Sequence, residues 1–387
     1  MFTLIKNAEI YAPQFLGKKD VLFTEGRILA VGELEAPSGY KTEVIDGSGK
    51  ILIPGLIDSH VHIIGGGGEG GYHTRTPELQ LSDAVGYGIT TLVGVIGTDG
   101  TTRTTAELIA KARGLEEEGI SCYVHVGNYH VPVRTVTGSI EDDLLLIDRI
   151  IGVGEVAVSD HRSSQPTTEE LARLASKARI GGMLSGKAGI VNVHIGDGSA
   201  GLQPLLDVVE TTDLPIEVFC PTHVNRTENL FQQGLAFAER GGIIDFTTST
   251  IPSFLDGGEV KAAKAVRRAL EAEVDPALIT MTSDGQGSLP SFNKEGKFTG
   301  LQVANTGSLF EALREAVLEE KVNIENAVRT VTENPARILK LVQKGKIERG
   351  GDADLLLLDK EWHITDVWAK GQKMVKEGTV IVKGTFE

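Results

Sequence analysis

The chain has few cysteines, few aromatic residues and a deficit of positive charge. Its 387 residues include two cysteines, Cys122 and Cys220, and aromatic residues make up 5% of the composition. So few cysteines argue against a disulfide scaffold and are typical of a reducing compartment, so we expect a cytoplasmic protein. The formal net charge of −15 argues against nucleic acids and anionic membranes as partners.

Long apolar segments are also missing near the start of the chain. Residues 1–13 alternate between apolar and polar positions and lack a basic segment followed by a hydrophobic run, so we predict no signal peptide and no transmembrane span. Glycine, in contrast, is abundant, with 47 residues. Many glycines and few aromatics are typical of an α/β protein with tight turns between strands and helices.

Both ends of the chain are predicted to be β-rich. They could form two separate β appendages, but neither end could bury a core alone, so we favour one small β-sandwich built by both. The predicted domains are the sandwich segments 1–53 and 346–387 and a large inserted domain, 54–345. The predicted terminal strands are Phe2–Tyr11, Asp20–Thr24, Arg27–Val31, Thr42–Ile45, Lys50–Ile53, Ala353–Leu358, Ile364–Ala369 and Thr379–Val382.

The middle of the chain alternates short apolar runs with helical patterns, which indicates a (β/α)8 barrel of the TIM type. Thr167 and Glu170 form a capping box that opens one predicted helix. Further helices are predicted at 228–240, 260–272, 309–319 and 324–341. The predicted barrel strands are Ile57–Ile63, Ile89–Ile96, Ser121–Val126, Val156–Ser159, Ile190–Ile195, Ile216–Cys220, Ile243–Thr247 and Leu278–Thr282.

The clearest chemical signal is the pair His60 and His62 near the end of the first predicted barrel strand. Residues two apart on a strand project from the same face, so both imidazoles can bind one divalent metal ion. Two packed structural histidines are the alternative. His194, His223 and Asp284 each stand where a later strand meets its loop, which is the catalytic rim of such a barrel. Five such residues at one rim favour a metal centre.

These motifs resemble those of the amidohydrolase superfamily and, within it, the isoaspartyl dipeptidase family (peptidase family M38), over nearly the whole chain. Gly351–Leu355, which opens the C-terminal β segment, resembles the superfamily as well. The segments that carry the narrower resemblance are His60–Glu69, Asn128–Pro132, Ser159–Arg162, Pro221–Arg226 and Ser283–Gly285.

The resemblance implies two divalent metal ions per chain, with zinc favoured. His60 and His62 would bind one ion, and His194 and His223 the other. Asp284 would also bind the first ion and move the proton as general base and acid.

The resemblance also implies substrate contacts and an assembly. Tyr129 would donate to the oxyanion and Glu69 would bind the substrate's α-ammonium group. Arg162 and Arg226 would hold the carboxylate of the leaving amino acid. The residues implied for the α-carboxylate of the isoaspartyl residue are Gly67, Thr98 and Ser288. A homo-oligomer is implied as well.

The sequence departs from the family at the metal-bridging position. Many members carry a carboxylated lysine seven residues before the arginine of the Ser-Asp-His-Arg motif, where this chain has Glu155. We therefore expect no carboxylated lysine. Glutamate supplies a carboxylate but is shorter by about 3–4 Å. The strand could shift inward, Glu155 could bind one ion of two, or the site could hold a single metal. Our hypothesis is a bridging Glu155.

The function predicted from these residues is hydrolysis of the isopeptide bond of β-aspartyl dipeptides. Two alternatives remain at this point. One is hydrolysis of a cyclic amide or imide, as in a dihydroorotase or hydantoinase. The other is a catalytically silent barrel that serves as a scaffold, for which the loss of lysine at position 155 is the support.

Overall fold

A computed structural model of the protein describes residues 1–292 and 298–387. Its strands are, in chain order, β1 (Phe2–Tyr11), β2 (Phe15–Thr24), β3 (Arg27–Gly32), β4 (Thr42–Asp46), β5 (Ile51–Pro54), β6 (Leu56–Val61), β7 (Ile89–Gly94), β8 (Ser121–Val126), β9 (Ile150–Val158), β10 (Ile190–Ile195), β11 (Phe219–Thr222), β12 (Ile244–Thr247), β13 (Ile279–Thr282), β14 (Ser288–Phe292), β15 (Phe298–Val303), β16 (Leu355–Leu358), β17 (Ile364–Ala369), β18 (Gln372–Lys376) and β19 (Thr379–Val380).

The α-helices connect the parallel strands and follow the last of them. They are α1 (Leu81–Val85), α2 (Thr105–Glu117), α3 (Ile140–Leu146), α4 (Thr168–Ser185), α5 (Gln203–Thr211), α6 (Glu228–Glu239), α7 (Pro252–Asp256), α8 (Ala262–Glu271), α9 (Ser308–Leu318), α10 (Ile324–Arg329) and α11 (Glu333–Ile338). The predicted capping box of α4 is confirmed, since Glu170 N donates to Thr167 Oγ1 and Thr167 N donates to Glu170 Oε2. No helix in the described ranges is long and apolar enough to cross a bilayer.

Eight parallel strands, β6 to β13, form the barrel. Strands β6 to β11 make one parallel sheet, and β12 pairs with β13 in another. Backbone hydrogen bonds close both gaps: Val224 N donates to Asp245 O at 3.2 Å, and His62 N donates to Gly285 O at 2.8 Å. The apolar residues of α11 and the segment after it pack against the end of the barrel where the strands begin. The opposite end is therefore the one that can hold an open site.

The two chain ends meet in one mixed sheet. Its strand order is β19-β18-β17-β16-β5-β1-β2-β3, with β4 pairing with β1. Buried residues from both ends, including Ile10, Phe23, Leu355 and Trp368, share one apolar cluster. The chain ends therefore build a common β unit, as expected. That this sheet folds as a sandwich, and that the domains divide at 53/54 and 345/346, stay predictions.

Several predicted elements were wrong in detail. The strands predicted at 20–24 and 156–159 begin earlier, at Phe15 and Ile150. The predicted strand at 216–220 begins later, because Val218 N donates to Pro215 O and closes a turn that removes this group from the sheet. The predicted helix at 324–341 is divided into α10 and α11. At the break, the Val331 carbonyl accepts from Ile57 N of the barrel, and Pro335 falls in the first turn of α11, where its missing N–H is tolerated.

Candidate metal centre and active site

The five predicted ligand residues come together at the strand ends opposite α11. His60 lies in β6 and His62 directly follows it, His194 lies in β10, and His223 and Asp284 follow β11 and β13. His62 Nε2 lies 3.1 Å from Asp284 Oδ1, and His60 Nε2 lies 3.7 Å from the same oxygen. The rings of His194 and His223 are 4.5 Å apart between centroids. All five side chains thus share one centre.

Glu155 lies in the middle of this group. Its Oε2 lies 3.3 Å from His60 Nε2, 3.4 Å from His194 Nδ1 and 3.9 Å from His223 Nε2. Its Oε1 lies 3.4 Å from His62 Nε2. The carboxylate is therefore within reach of all four histidines.

A bulge in β9 brings Glu155 to this position. Val153 pairs with Val191 and Val156 pairs with Val193, so Gly154 and Glu155 lie opposite the single residue Asn192. A bulge bends its strand and redirects the side chain it carries. Gly154 has a φ of +143°, and a Cβ there would lie 2.6 Å from Asn192 O, so this position requires glycine. The bulge favours the inward strand shift among the three arrangements considered for the shorter glutamate.

The charges of the centre depend on one another. Burial alone would raise the pKa of Glu155, but the facing histidines, His60 first, outweigh it and hold the pKa well below its ordinary value. Burial likewise would lower the pKa of His60, but Glu155 and Asp284 raise it to about 10. The two carboxylates thus keep their negative charge in a buried site, where a protonated His60 or a bound cation balances it.

The polar atoms at this centre can hold divalent metal ions. Within the described ranges, His60 Nε2 and both Glu155 oxygens are buried and make no hydrogen bond. Two groups of ligand atoms, each within 4.8 Å of one another, share Glu155: one with His60 and His62, and one with His194 and His223. Imidazole nitrogens and carboxylate oxygens are the ligands that zinc takes at catalytic sites.

Three further residues orient the histidines by contacting the ring nitrogens that point away from Glu155. Asn192 Oδ1 lies 2.9 Å from His60 Nδ1, Thr247 Oγ1 lies 2.6 Å from His223 Nδ1, and Asp160 Oδ2 lies 3.0 Å from His194 Nε2. In each case the opposite ring nitrogen faces Glu155. Sequence reasoning missed all three. Asn192 had one available signal, since it is two residues before His194 and shares its strand face.

The remaining predicted site residues line one cavity of about 510 Å³ above the centre. His60 and Glu155 are buried and are not among the residues that line it. The predicted residues that line it are His62, Gly67, Glu69, Thr98, Tyr129, Arg162, His194, His223, Arg226, Asp284 and Ser288.

The arginines that line this cavity include the predicted residues Arg162 and Arg226. The Arg162 guanidinium is held by Asp160 at 2.6 Å and approaches Glu69 at 3.5 Å. Arg226 lies 3.1 Å from Glu259 and 3.6 Å from Asp284 Oδ2. Sequence reasoning missed Glu259, which no recognised motif contains. The cavity thus presents both cationic and anionic groups to a ligand.

Tyr129 stands on the cavity wall beside His194. Its hydroxyl lies 2.9 Å from His194 Nδ1. Burial, followed by the charge of Glu155, raises the pKa of Tyr129 well above its ordinary value, so the phenol keeps its proton at neutral pH. Nearby, the Thr98 hydroxyl is buried and makes no hydrogen bond within the described ranges. The Thr98 hydroxyl is therefore available to a ligand, whereas the protonated Tyr129 hydroxyl becomes a donor to a ligand when it leaves His194 Nδ1.

Comparison with known proteins identifies the family. The chain is 46% identical to a solved β-aspartyl dipeptidase from Fervidobacterium islandicum AW-1, in complex with the dipeptide β-Asp-Leu; the match covers 98% of each chain with a TM-score of 0.90. This chain belongs to the β-aspartyl dipeptidase family. It is accordingly a hydrolytic enzyme, a dipeptidase, and the predicted family is confirmed. Residues 222–386 also match the model of the Amidohydrolase family.

The chain also has more distant relatives, which carry the names of other hydrolases. A dihydroorotase from Lactobacillus johnsonii is 27% identical, with 93% of this chain and 90% of the relative covered. A solved D-hydantoinase is 19% identical with a TM-score of 0.70, covering 100% of this chain and 97% of the other. The second likeness concerns the fold alone.

Proposed function

We propose that the protein hydrolyses the isopeptide bond of β-aspartyl dipeptides. Such a substrate carries an α-ammonium group, an α-carboxylate and the carboxylate of the leaving amino acid. The cavity offers Glu69 for the ammonium group and Arg162 and Arg226 for carboxylates, next to the centre around Glu155. This match of charges carries the proposal. The relative in complex with β-Asp-Leu supports it.

We further propose that two zinc ions occupy the centre. His60, His62 and Asp284 would hold one ion, His194 and His223 the other, and Glu155 would be shared. The chemistry that such ions supply is a lowered pKa for a water molecule, so that hydroxide is available near neutral pH.

In this proposal, residues of the chain transfer the proton, stabilise the oxyanion and bind the substrate. Asp284, whose carboxylate faces both His62 and Arg226, takes the proton from the attacking water and delivers it to the leaving amine. The Tyr129 hydroxyl donates a hydrogen bond to the oxygen that becomes negative as the carbonyl carbon turns tetrahedral. Gly67, Thr98 and Ser288 lie on the cavity wall and would bind the α-carboxylate. Homo-oligomerisation and a cytoplasmic location stay predictions.

A second candidate is ring opening of a cyclic amide, which the likeness to dihydroorotases favours. Cyclic substrates of this kind lack the free α-ammonium group that Glu69 would bind. The two functions therefore differ in whether an anionic side chain is needed at position 69.

The direct test uses the purified protein with added Zn²⁺ and three substrates. We expect release of free aspartate from β-Asp-Leu, none from α-Asp-Leu as the matched control, and no ring opening of dihydroorotate. Ring opening without aspartate release would contradict the proposal in favour of the second candidate. No hydrolysis with Zn²⁺, Mn²⁺ or Co²⁺ would favour the silent scaffold.

A further inference from the structure

Asp160 contacts two functional residues at once. It follows β9, and its side chain is 3% exposed. Its Oδ1 accepts hydrogen bonds from Arg162 N at 2.7 Å and Arg162 Nε at 2.9 Å. Its Oδ2 lies 2.6 Å from Arg162 Nη2 and 3.0 Å from His194 Nε2. One buried carboxylate therefore holds both an arginine of the cavity and a histidine of the metal centre.

The carboxylate determines the proton position on His194. An ionised carboxylate only accepts hydrogen bonds, so His194 Nε2 carries the hydrogen in this contact. The lone pair of His194 is then on Nδ1, which faces the Tyr129 hydroxyl at 2.9 Å and Glu155 Oε2 at 3.4 Å. A carboxylate behind a ligand histidine both orients the ring and strengthens it as a ligand.

The same carboxylate also fixes the Arg162 guanidinium. The paired contacts from Nε and Nη2 are the bidentate geometry, which restrains a planar group in position and orientation. Nη1 remains directed to Glu69 on the cavity side, at 3.5 Å. Arg162 thus has a defined orientation before a ligand enters.

Arg226 has a carboxylate partner with a different role. Glu259 accepts from Arg226 Nη1 at 3.1 Å, and its side chain is 1% exposed. The hydrogen bonds of Glu259 in the described part of the chain include no histidine. The link between an arginine of the cavity and a histidine of the metal centre is therefore a feature of Asp160, and Glu259 provides a matched comparison.

We propose that Asp160 is a positioning residue that couples substrate binding to the metal centre. It orients Arg162 for the carboxylate of the leaving amino acid, and it holds His194 in the tautomer that can bind a metal ion. The inference rests on the proposed function for the assignment of Arg162 to the substrate. The proposed effect of Asp160 on His194 concerns metal retention, which can be measured without any substrate.

The variant Asp160→Asn tests both halves. Asparagine keeps the size of the side chain, but its amide nitrogen is a donor and must face the donors of either Arg162 or His194. We expect the dissociation constant for zinc, measured by competition with a chelator, to rise about 10–100-fold. With zinc in excess, we expect KM for β-Asp-Leu to rise about tenfold.

Two control variants separate the coupled role from a general loss of charge. Glu259→Gln should raise KM but leave zinc affinity within about twofold of the parent protein, because Glu259 contacts no metal ligand itself and holds Arg226 by Nη1, whereas Arg226 approaches Asp284 by Nη2. Asp148→Asn should change neither quantity, since Asp148 is an exposed partner of Arg113 and Arg149. The melting temperature of each variant reports whether it folds.

Each outcome decides a part of the inference. Unchanged zinc affinity in Asp160→Asn would overturn the coupling, and unchanged KM would overturn the positioning of Arg162. If Asp160→Asn does not fold, Asp160→Glu replaces it: the charge is kept but displaced by one methylene, and unchanged values of both quantities would overturn the proposal. A parent protein that does not cleave β-Asp-Leu contradicts the proposed function instead, while the zinc comparison still tests His194.

Discussion

At the scale of single residues, the two oxygens of Glu155 lie between four histidines at nitrogen-to-oxygen distances of 3.3 to 3.9 Å. The proposed sharing of Glu155 by two ions predicts that its removal affects both binding sites. A carboxylate that served only as a buried structural group would instead be expected to have hydrogen-bond donors.

The variant Glu155→Ala should therefore lose metal. We expect two zinc ions per chain in the parent protein and at most one in the variant, measured by elemental analysis after gel filtration. Glu43→Ala is a suitable control, because Glu43 is an exposed partner of Lys373, and its metal content should stay at two. One ion per chain in both the parent and Glu155→Ala would contradict the shared carboxylate.

The site residues differ in how far sequence could predict them. His60 and His62 are evident because the two-residue period of a strand is local. Asp160 and Thr247 were missed because their role depends on a histidine that lies 34 and 24 residues away along the chain. Such contacts form only when the whole barrel has folded, so a local sequence pattern cannot predict them.

At the scale of elements, the bulge in β9 is the feature that places Glu155. Its backbone conformation is the one that glycine adopts readily and other residues rarely do, and the space for a Cβ is taken by Asn192 O at 2.6 Å. The alternation of apolar residues in β9 gave no sign of it, since all nine residues of the strand are buried. The position of Glu155 therefore could not be predicted from the pattern.

The variant Gly154→Ala should destabilise the protein and disturb the centre. We expect a loss of about 1–3 kcal/mol from the backbone conformation alone, with more from the contact to Asn192 O. Urea unfolding and zinc content measure the two effects. Gly114→Ala is the matched control, because Gly114 lies on the exposed side of α2 with open space around it, and alanine there should stabilise by about 0.5–1 kcal/mol. Equal stabilities of the two variants would contradict this view of the bulge.

The errors in element prediction have related causes. The segment 324–341 has apolar residues at helical spacing throughout. The helix is nevertheless interrupted after α10, because the Val331 carbonyl accepts a hydrogen bond from Ile57 N of the barrel strand β6. The antiparallel pairing of β14 with β15 was not predicted at all, and it follows the barrel in a segment that contains Pro290 and several glycines. In both places a tertiary contact or a loop overrides the local preference.

At the scale of the whole molecule, the β unit of the two chain ends is tied to the barrel by a buried lysine. Lys344 Nζ lies 2.5 Å from Asp354, 2.6 Å from Asp352 and 2.7 Å from Ser121 Oγ of β8. The two aspartates belong to the run that resembles the amidohydrolase superfamily. Sequence analysis predicted that the chain ends meet, but the lysine that joins them to the barrel was not recognised, because its partners lie in two separate segments.

Removal of this lysine should weaken the connection between the two parts. In Lys344→Met the buried Asp354 loses its cationic partner, and we expect a loss of about 3–5 kcal/mol in unfolding free energy, measured with urea. Lys111→Met is the control: its partner Glu78 is exposed, so the change should stay within about 1 kcal/mol. A Lys344→Met variant as stable as this control would show that the pair does not hold the parts together.

The pH dependence of the same variant follows from the sign of the pKa shift. Burial alone would lower the pKa of Lys344, but Asp354 and Asp352 outweigh it and raise the pKa above its ordinary value. A group whose pKa is raised on folding contributes fully below the unfolded-state pKa and loses that contribution only as the pH rises through the folded-state value. The difference between the parent protein and Lys344→Met should therefore be the same at pH 7 and pH 9. A difference that shrinks between these two values would mean that the lysine releases its proton earlier and that the pair is weaker than its geometry indicates.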